Sequence, residues 1–171
     1  MLELIIAVIL SSIPIMLAAT GELVVERSGV LNLGVEGMML MGAVIASITV
    51  ITTGSIFLAV IFGALSGLLT SIVFGFFALV LATNQVATGL ALTIFGTGLS
   101  GLIGADYVGK AIQRLEAFNI PILSNIPYLG PILFSHNILV YFSFIIVFIV
   151  GWFLLKTKSG LVLRAVGNNH D

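Results

Sequence analysis

From Gly37 to Ala105 the chain contains no Asp, Glu, Lys or Arg, a run of 69 residues. A charge-free stretch of that size cannot be wrapped in water as one helix. At about 1.5 Å per residue it would cross a ~30 Å hydrocarbon core roughly three times. Only 8% of the whole chain is charged, against about 25% in an ordinary soluble domain. With a mean hydropathy of +1.29, the pattern predicts an all-α, polytopic membrane protein. A net charge of −1 with no basic patch gives no basis for binding nucleic acid. The absence of cysteine excludes disulfides and thiolate metal sites.

The apolar runs predict about five spans and one broken or re-entrant segment. The first runs from Leu4 to Gly21 between Glu3 and Glu22, with Pro14 inside it as a kink point. No basic segment precedes it, so it reads as a permanent span and not a cleaved leader. The others are Met38–Thr53, Ile56–Leu81, Val86–Ile103 and Ile138–Leu155. Turns are expected at Thr52–Ser55 and at Ala82–Gln85. The third and fourth spans carry small residues every four positions: Gly63, Gly67, Ser71 and Gly75, then Gly89, Thr93, Thr97 and Gly101. Lipid supplies no hydrophobic drive between helices, so such ridges predict close helix packing. Ala105–His136 holds Pro121, Pro127 and Pro131 and reads as a connection outside the membrane, with a short helix near Ala111–Phe118. After Lys156–Gly160, a short amphipathic helix is expected over Leu161–Val166. Basic residues at Arg27, Lys156, Lys158 and Arg164 place the C-terminus in the cytoplasm and the N-terminus outside.

The most unusual stretch is Glu26–Gly42, which puts two acids, a base, an asparagine and four glycines between apolar runs. Charge at membrane depth costs about 2.5–3.5 kcal/mol per residue on insertion scales, so a functional reason is the default. Glu36 has two readings: a carboxylate favoured by a helix N-terminus, or a buried acid facing a path. Asn32 likewise either pairs with a neighbouring helix or lines that path. Asn84 and Gln85 either cap the fourth helix or contact a solute. Gly104–Ala111 nearly matches a phosphate-binding loop, but Ala111 replaces the required hydroxyl and a membrane helix precedes it where a strand is needed. His136 and His170 have no second ligand at metal spacing and read as interfacial or solvent-facing, with no metal site. No catalytic constellation is readable, so the chain is not expected to be an enzyme.

Four blocks, in order, carry a resemblance. Ser28–Ala43 (SGVLNLGVEGMMLMGA) resembles the early signature of permease subunits of ABC importers, closest to the nucleoside and simple-sugar branch and related to ribose and branched-chain amino-acid permeases. Asn84-Gln85-Val86 with Gly89–Leu92 is similar to that branch's second signature, with Gln85 where an acid is usual. Ile126–Pro131 resembles its external loop. Thr157–Gly160, Leu163–Ala165, Gly167 and Asn169 resemble the cytoplasmic coupling loop. The resemblance implies that residues 1–171 are the N-terminal part of a single permease domain ending at that loop. It implies cytoplasmic ABC ATPases carrying ATP and Mg, a second permease subunit, an extracytoplasmic solute-binding protein, and residence in a bacterial or archaeal plasma membrane. Asn32, Glu36, Asn84 and Gln85 would line the translocation path. Gly160, Arg164 and Gly167 would couple to the ATPase. Gly63, Gly67, Gly75, Gly89 and Gly101 would pack helices. The competing classes are an ATP-independent transporter or channel and a non-transporting membrane assembly subunit.

Overall fold

The computed structural model of the protein describes residues 1–112, 118–119, 130, 132 and 134–168. Of the expected helix near Ala111–Phe118, residues 113–117 lie outside the described residues, Ala111 and Ile112 are not helical and Phe118 is paired as a strand; the motif residues Ile126–Leu129, Pro131 and Asn169 also lie outside, as do Pro121 and His170. The helices are α1 (Leu2–Arg27), α2 (Val35–Thr53), α3 (Ile56–Gly75), α4 (Gln85–Gly104), α5 (Ile138–Lys156) and α6 (Lys158–Asn168). A π-helical turn, Phe76–Val80, extends α3, and a 3-10 turn, Ala105–Tyr107, extends α4. A two-residue antiparallel pairing joins β1 (Phe118–Asn119) to β2 (Ser135–His136). Among the described residues, five helices are long and apolar enough to cross a membrane: α1, α2, α3 with its π turn, α4 with its 3-10 turn, and α5. The protein is an all-α polytopic membrane protein. Side chains such as Leu68, Ile94 and Phe148 point outward from these helices, as lipid-facing or helix-facing groups must.

Helix ends depart from the apolar runs where charge and helix formation separate. α1 continues to Arg27, six residues past Gly21, because Glu22 and Glu26 end the apolar stretch without breaking the backbone ladder. α2 starts at Val35, three residues before Met38, so Glu36 sits in its first turn. α6 starts at Lys158 and includes Gly160, because Thr157 alone separates it from α5. Thr157 is extended (φ −97°, ψ 152°). Its hydroxyl donates to the Phe153 carbonyl at 2.6 Å and accepts from the Gly160 N–H at 3.0 Å, closing one helix and starting the next.

The contacts divide into two compact units, Met1–Gly29 with Leu115–Asp171, and Val30–Arg114. In the first, α1 packs on α5, and α6 packs on both. Val140 and Ser143 are its most deeply buried side chains. His136 is only 3% exposed, against the expectation of an interfacial or solvent-facing ring. It is drawn in because Nε2 lies 2.7 Å from the Ile132 carbonyl and its backbone N–H donates to the Tyr141 hydroxyl at 3.4 Å.

In the second unit α2 packs against both α3 and α4. Met38, Phe74, Ala78 and Leu92 form its buried cluster, with Val30 against it. The α2–α3 connection is a turn: Gly54 adopts φ +68°, and the Ser55 hydroxyl caps α3 by accepting from the Leu58 N–H at 3.3 Å. At the far end of α3, the Leu81 N–H reaches back to the Phe76 carbonyl at 3.0 Å, the five-residue closure of a π turn. The Thr83 N–H and hydroxyl both donate to the Phe77 carbonyl, at 3.1 and 2.8 Å, and tie off the helix. The stretch Gly104–Ala111 begins on the last residue of α4, and Lys110 lies over the Tyr107 ring at 4.4 Å.

Candidate functional site: the Ser28–Gly34 turn and the terminal helix

Seven residues, Ser28–Gly34, separate α1 from α2 without helical structure. Backbone groups in such a break need partners, since water is scarce near apolar helices. From Val30 onward α4 supplies them. Gln85 Oε1 accepts from the Leu31 N–H at 2.8 Å, and the Thr93 hydroxyl donates to the Leu33 carbonyl at 2.9 Å. Asn32, 7% exposed, turns its Oδ1 to the Gly34 N–H at 2.9 Å, an Asx turn that leads into α2. Its Nδ2 lies 3.8 Å from the Met38 sulfur.

This arrangement needs glycine where α4 passes beneath the turn. A Cβ on Gly89 would lie 2.8 Å from Leu33 N and 2.9 Å from Gly34 N. One turn into α2, a Cβ on Gly37 would lie 2.6 Å from the Leu92 carbonyl oxygen, and one on Gly96 would lie 2.7 Å from Gly37 Cα. Gln85, Gly89, Thr93 and Gly96 thus form one face of α4 that carries the turn and the start of α2. On another face of α2, Gly42 meets Gly63 of α3, whose added Cβ would be 3.0 Å from the Gly42 oxygen.

The structure gives the residues singled out in the sequence different tasks. Asn32 and Gln85 hold the turn itself. Asn84 is exposed and caps α4, its Oδ1 accepting from the Ala87 N–H at 3.0 Å. Glu36 is exposed in the first turn of α2, where a carboxylate offsets the helix dipole and no side chain caps the N-terminus. Of the packing glycines, Gly63 and Gly89 meet backbone, and Gly67 lies 4.0 Å from the Met38 oxygen by its built Cβ. Gly75 and Gly101 have nothing within 4 Å. Among α2, α3 and α4 the tightest contacts fall at Gly37 and Gly96, which the four-residue spacing did not single out. The signal that marks them is their glycine identity on facing helices, and sequence alone does not pair the faces.

Replacing Gln85 by Leu removes the acceptor of the Leu31 N–H and is expected to cost about 0.5–1.5 kcal/mol of stability, the net worth of a typical hydrogen bond. Gln85→Glu keeps an acceptor and is expected to lose far less. Thermal melting of both variants in detergent checks the order.

The second constellation is α6, which folds back on the ends of α5 and α1. Gly160 is buried, and a Cβ there would collide with the Phe153 carbonyl oxygen and lie 2.9 Å from Leu154 Cα. A Cβ on Gly167 would collide with the Arg27 carbonyl oxygen and lie 2.8 Å from Gly29 N. Arg164 lies on the same helical face between them, and its Nε is buried with no hydrogen-bond partner among the described residues. A cation beside the carbonyl ends of two helices is favoured by their dipoles. The opposite face is apolar and open: Leu161, Val162 and Val166 are each 60–62% exposed.

The chain belongs to the family described as branched-chain amino acid transport system / permease component, which matches residues 4–171. It is 36% identical over 161 residues to a Haloferax volcanii protein provisionally named as a glucose ABC transporter permease, covering 92% of this chain and 49% of that one. It is 33% identical over 180 residues to a nucleoside ABC transporter permease of Lactococcus lactis, covering 98% of this chain and 57% of that one. A guanosine ABC transporter permease of Bacillus subtilis is 30% identical over 178 residues, covering 95% of this chain and 55% of that one. The chain thus spans about half the length of the curated relatives it matches. No solved structure matches it.

Proposed function

We infer that the chain forms part of the membrane-spanning permease subunit of an ABC importer for a small polar solute, a nucleoside or simple sugar. The observation that carries this reading is α6: its glycine face is seated on the ends of two spans while its apolar face stays open for a soluble partner. That partner is a cytoplasmic ABC ATPase, which holds ATP and Mg and performs the hydrolysis. A second permease subunit and an extracytoplasmic solute-binding protein complete the assembly. The basic residues Arg27, Lys156, Lys158 and Arg164 cluster at the ends that meet at α6, which supports a cytoplasmic C-terminus and an external N-terminus in a bacterial or archaeal plasma membrane. Glu36 and Asn84, both exposed, face the path and offer polar groups to the solute. Asn32 and Gln85 work behind them by fixing the turn. ATP binding and release bias the helices between outward-open and inward-open states.

The test is copurification and uptake. The permease, expressed with its candidate ATPase, is expected to retain that ATPase through purification and to support ATP-dependent uptake of tritiated guanosine or tritiated glucose. Uptake that persists without any ATPase, driven by an ion gradient alone, would identify a secondary transporter instead.

A further inference from the structure

We propose that Gly167 and Gly29 are positioning residues: they form the bearing through which a displacement of α6 reaches the Ser28–Gly34 turn. The inference rests on the permease reading and adds the route by which the load travels. Its first support is the nature of the contact. The atoms a Gly167 Cβ would meet are the Arg27 carbonyl oxygen, Gly29 N at 2.8 Å and the Ser28 carbonyl carbon at 2.9 Å, all backbone. From the other side, a Cβ on Gly29 would meet Gly167 Cα at 3.1 Å. Side-chain contacts absorb small displacements by changing rotamer, whereas two backbones in contact have no rotamer to change.

The second support is the stiffness of the chain beyond Gly29. Gly29 adopts φ +85°, a conformation suited to glycine, and its N–H donates to the Glu26 carbonyl at 3.0 Å. The next peptide bond leads into Val30–Gly34, whose backbone is held by Gln85, Thr93 and Asn32. A push on Gly29 therefore enters a segment with few free torsions. The third support is α6 itself. Gly160 and Gly167 are seven residues apart and fall on one face, so the helix bears on α5 at one end and on the Arg27–Gly29 backbone at the other.

The first arm of the test uses the assembled transporter and does not require the solute to be known. The sequence supplies no cysteine. Leu31→Cys, at a 40% exposed position, then reports on the turn through its labelling rate with a water-soluble maleimide. Rates are compared between the nucleotide-free and vanadate-trapped states. With Gly167 intact the two rates are expected to differ on the order of fivefold or more, the lower end of usual coupling between sites. Adding Gly167→Ala is expected to bring the ratio close to one while ATP hydrolysis continues. An unchanged ratio in Gly167→Ala overturns the proposal. So does a ratio of one with native Gly167 and intact hydrolysis, which leaves the permease reading standing. Absence of any associated ATP hydrolysis overturns that reading instead. A second arm does not depend on Gly167→Ala folding. Ser28 and Leu163 line one groove of about 450 Å³, and Ser28→Cys with Leu163→Cys can be bridged by a bifunctional thiol reagent. Bridged protein is expected to keep uptake, because the joined parts move together, and loss of uptake on bridging counts against the proposal.

Discussion

Gly96→Leu is expected to abolish the folded permease. The Cβ alone would stand 2.7 Å from both Cα and the carbonyl oxygen of Gly37. Those are backbone atoms of α2, so relief requires moving a whole helix. Moving it would also disturb the Gly89 contact with Leu33 and Gly34, because both lie on the same face of α4. Over-packing a close-packed site costs about 1–3 kcal/mol for added methylenes, and a backbone clash sits at or above that range. The helix-propensity gain from removing glycine, about 0.5–1 kcal/mol, does not offset it. Gly98 and Gly101 have nothing within 4 Å of an added Cβ, so alanine at either should leave stability unchanged or raise it. Midpoints of thermal unfolding in detergent, read by a fluorescent fusion, would test the contrast. Equal midpoints for Gly96→Leu and Gly101→Ala would show that α2 and α4 do not cross in backbone contact.

Leu161→Asp combined with Val166→Asp is expected to release the proposed ATPase partner while leaving the membrane part folded. Both side chains are more than half exposed, Val166 at the groove that Ser28 and Leu163 also line, and neither is among the atoms that a Gly160 or Gly167 Cβ would meet. Burying one such side chain against a partner stabilises by about 1.5–3 kcal/mol. Losing two would weaken association by a factor on the order of a hundred or more. Charge also enters: an aspartate placed in an apolar contact must be desolvated without a partner. Arg164→Glu acts differently, because Arg164 shares the helical face of α6 on which Gly160 and Gly167 are seated and its Nε is buried. It should lower the stability of the α6 seating before it alters binding. Pull-down of the ATPase with each variant, beside melting in detergent, separates the two effects.

The spans were legible because lipid forbids charge, and charge is visible in sequence. The turn was legible for the same reason: Asn32, Glu36 and the glycines around them are anomalous between apolar runs. What each residue does there was not. Asn32 reads equally as a path residue or a structural one in the sequence, which gives no sign of the Gly34 N–H that its Oδ1 accepts. Small-residue spacing identifies a face suited to close packing and says nothing of what meets it. α2 lies against α3 through Gly42 and against α4 through Gly37, and these crossing points depend on helix angles that no local pattern encodes. The start of α6 was hidden by Thr157-Lys158-Ser159-Gly160, a polar string that reads as the end of the fifth apolar run. One threonine hydroxyl serves both helices, so the break is shorter than composition suggests.

That single threonine sets how far α6 can travel. One residue spans at most about 3.5 Å of chain, so the joint between α5 and α6 has almost no slack. A flexible loop would let the terminal helix shift several ångströms while its span stayed still. Here any larger excursion must tilt or drag the Lys156 end of α5. The two helices are joined as a bent lever with a short elbow, so a displacement of α6 becomes motion of α5 within its first few ångströms.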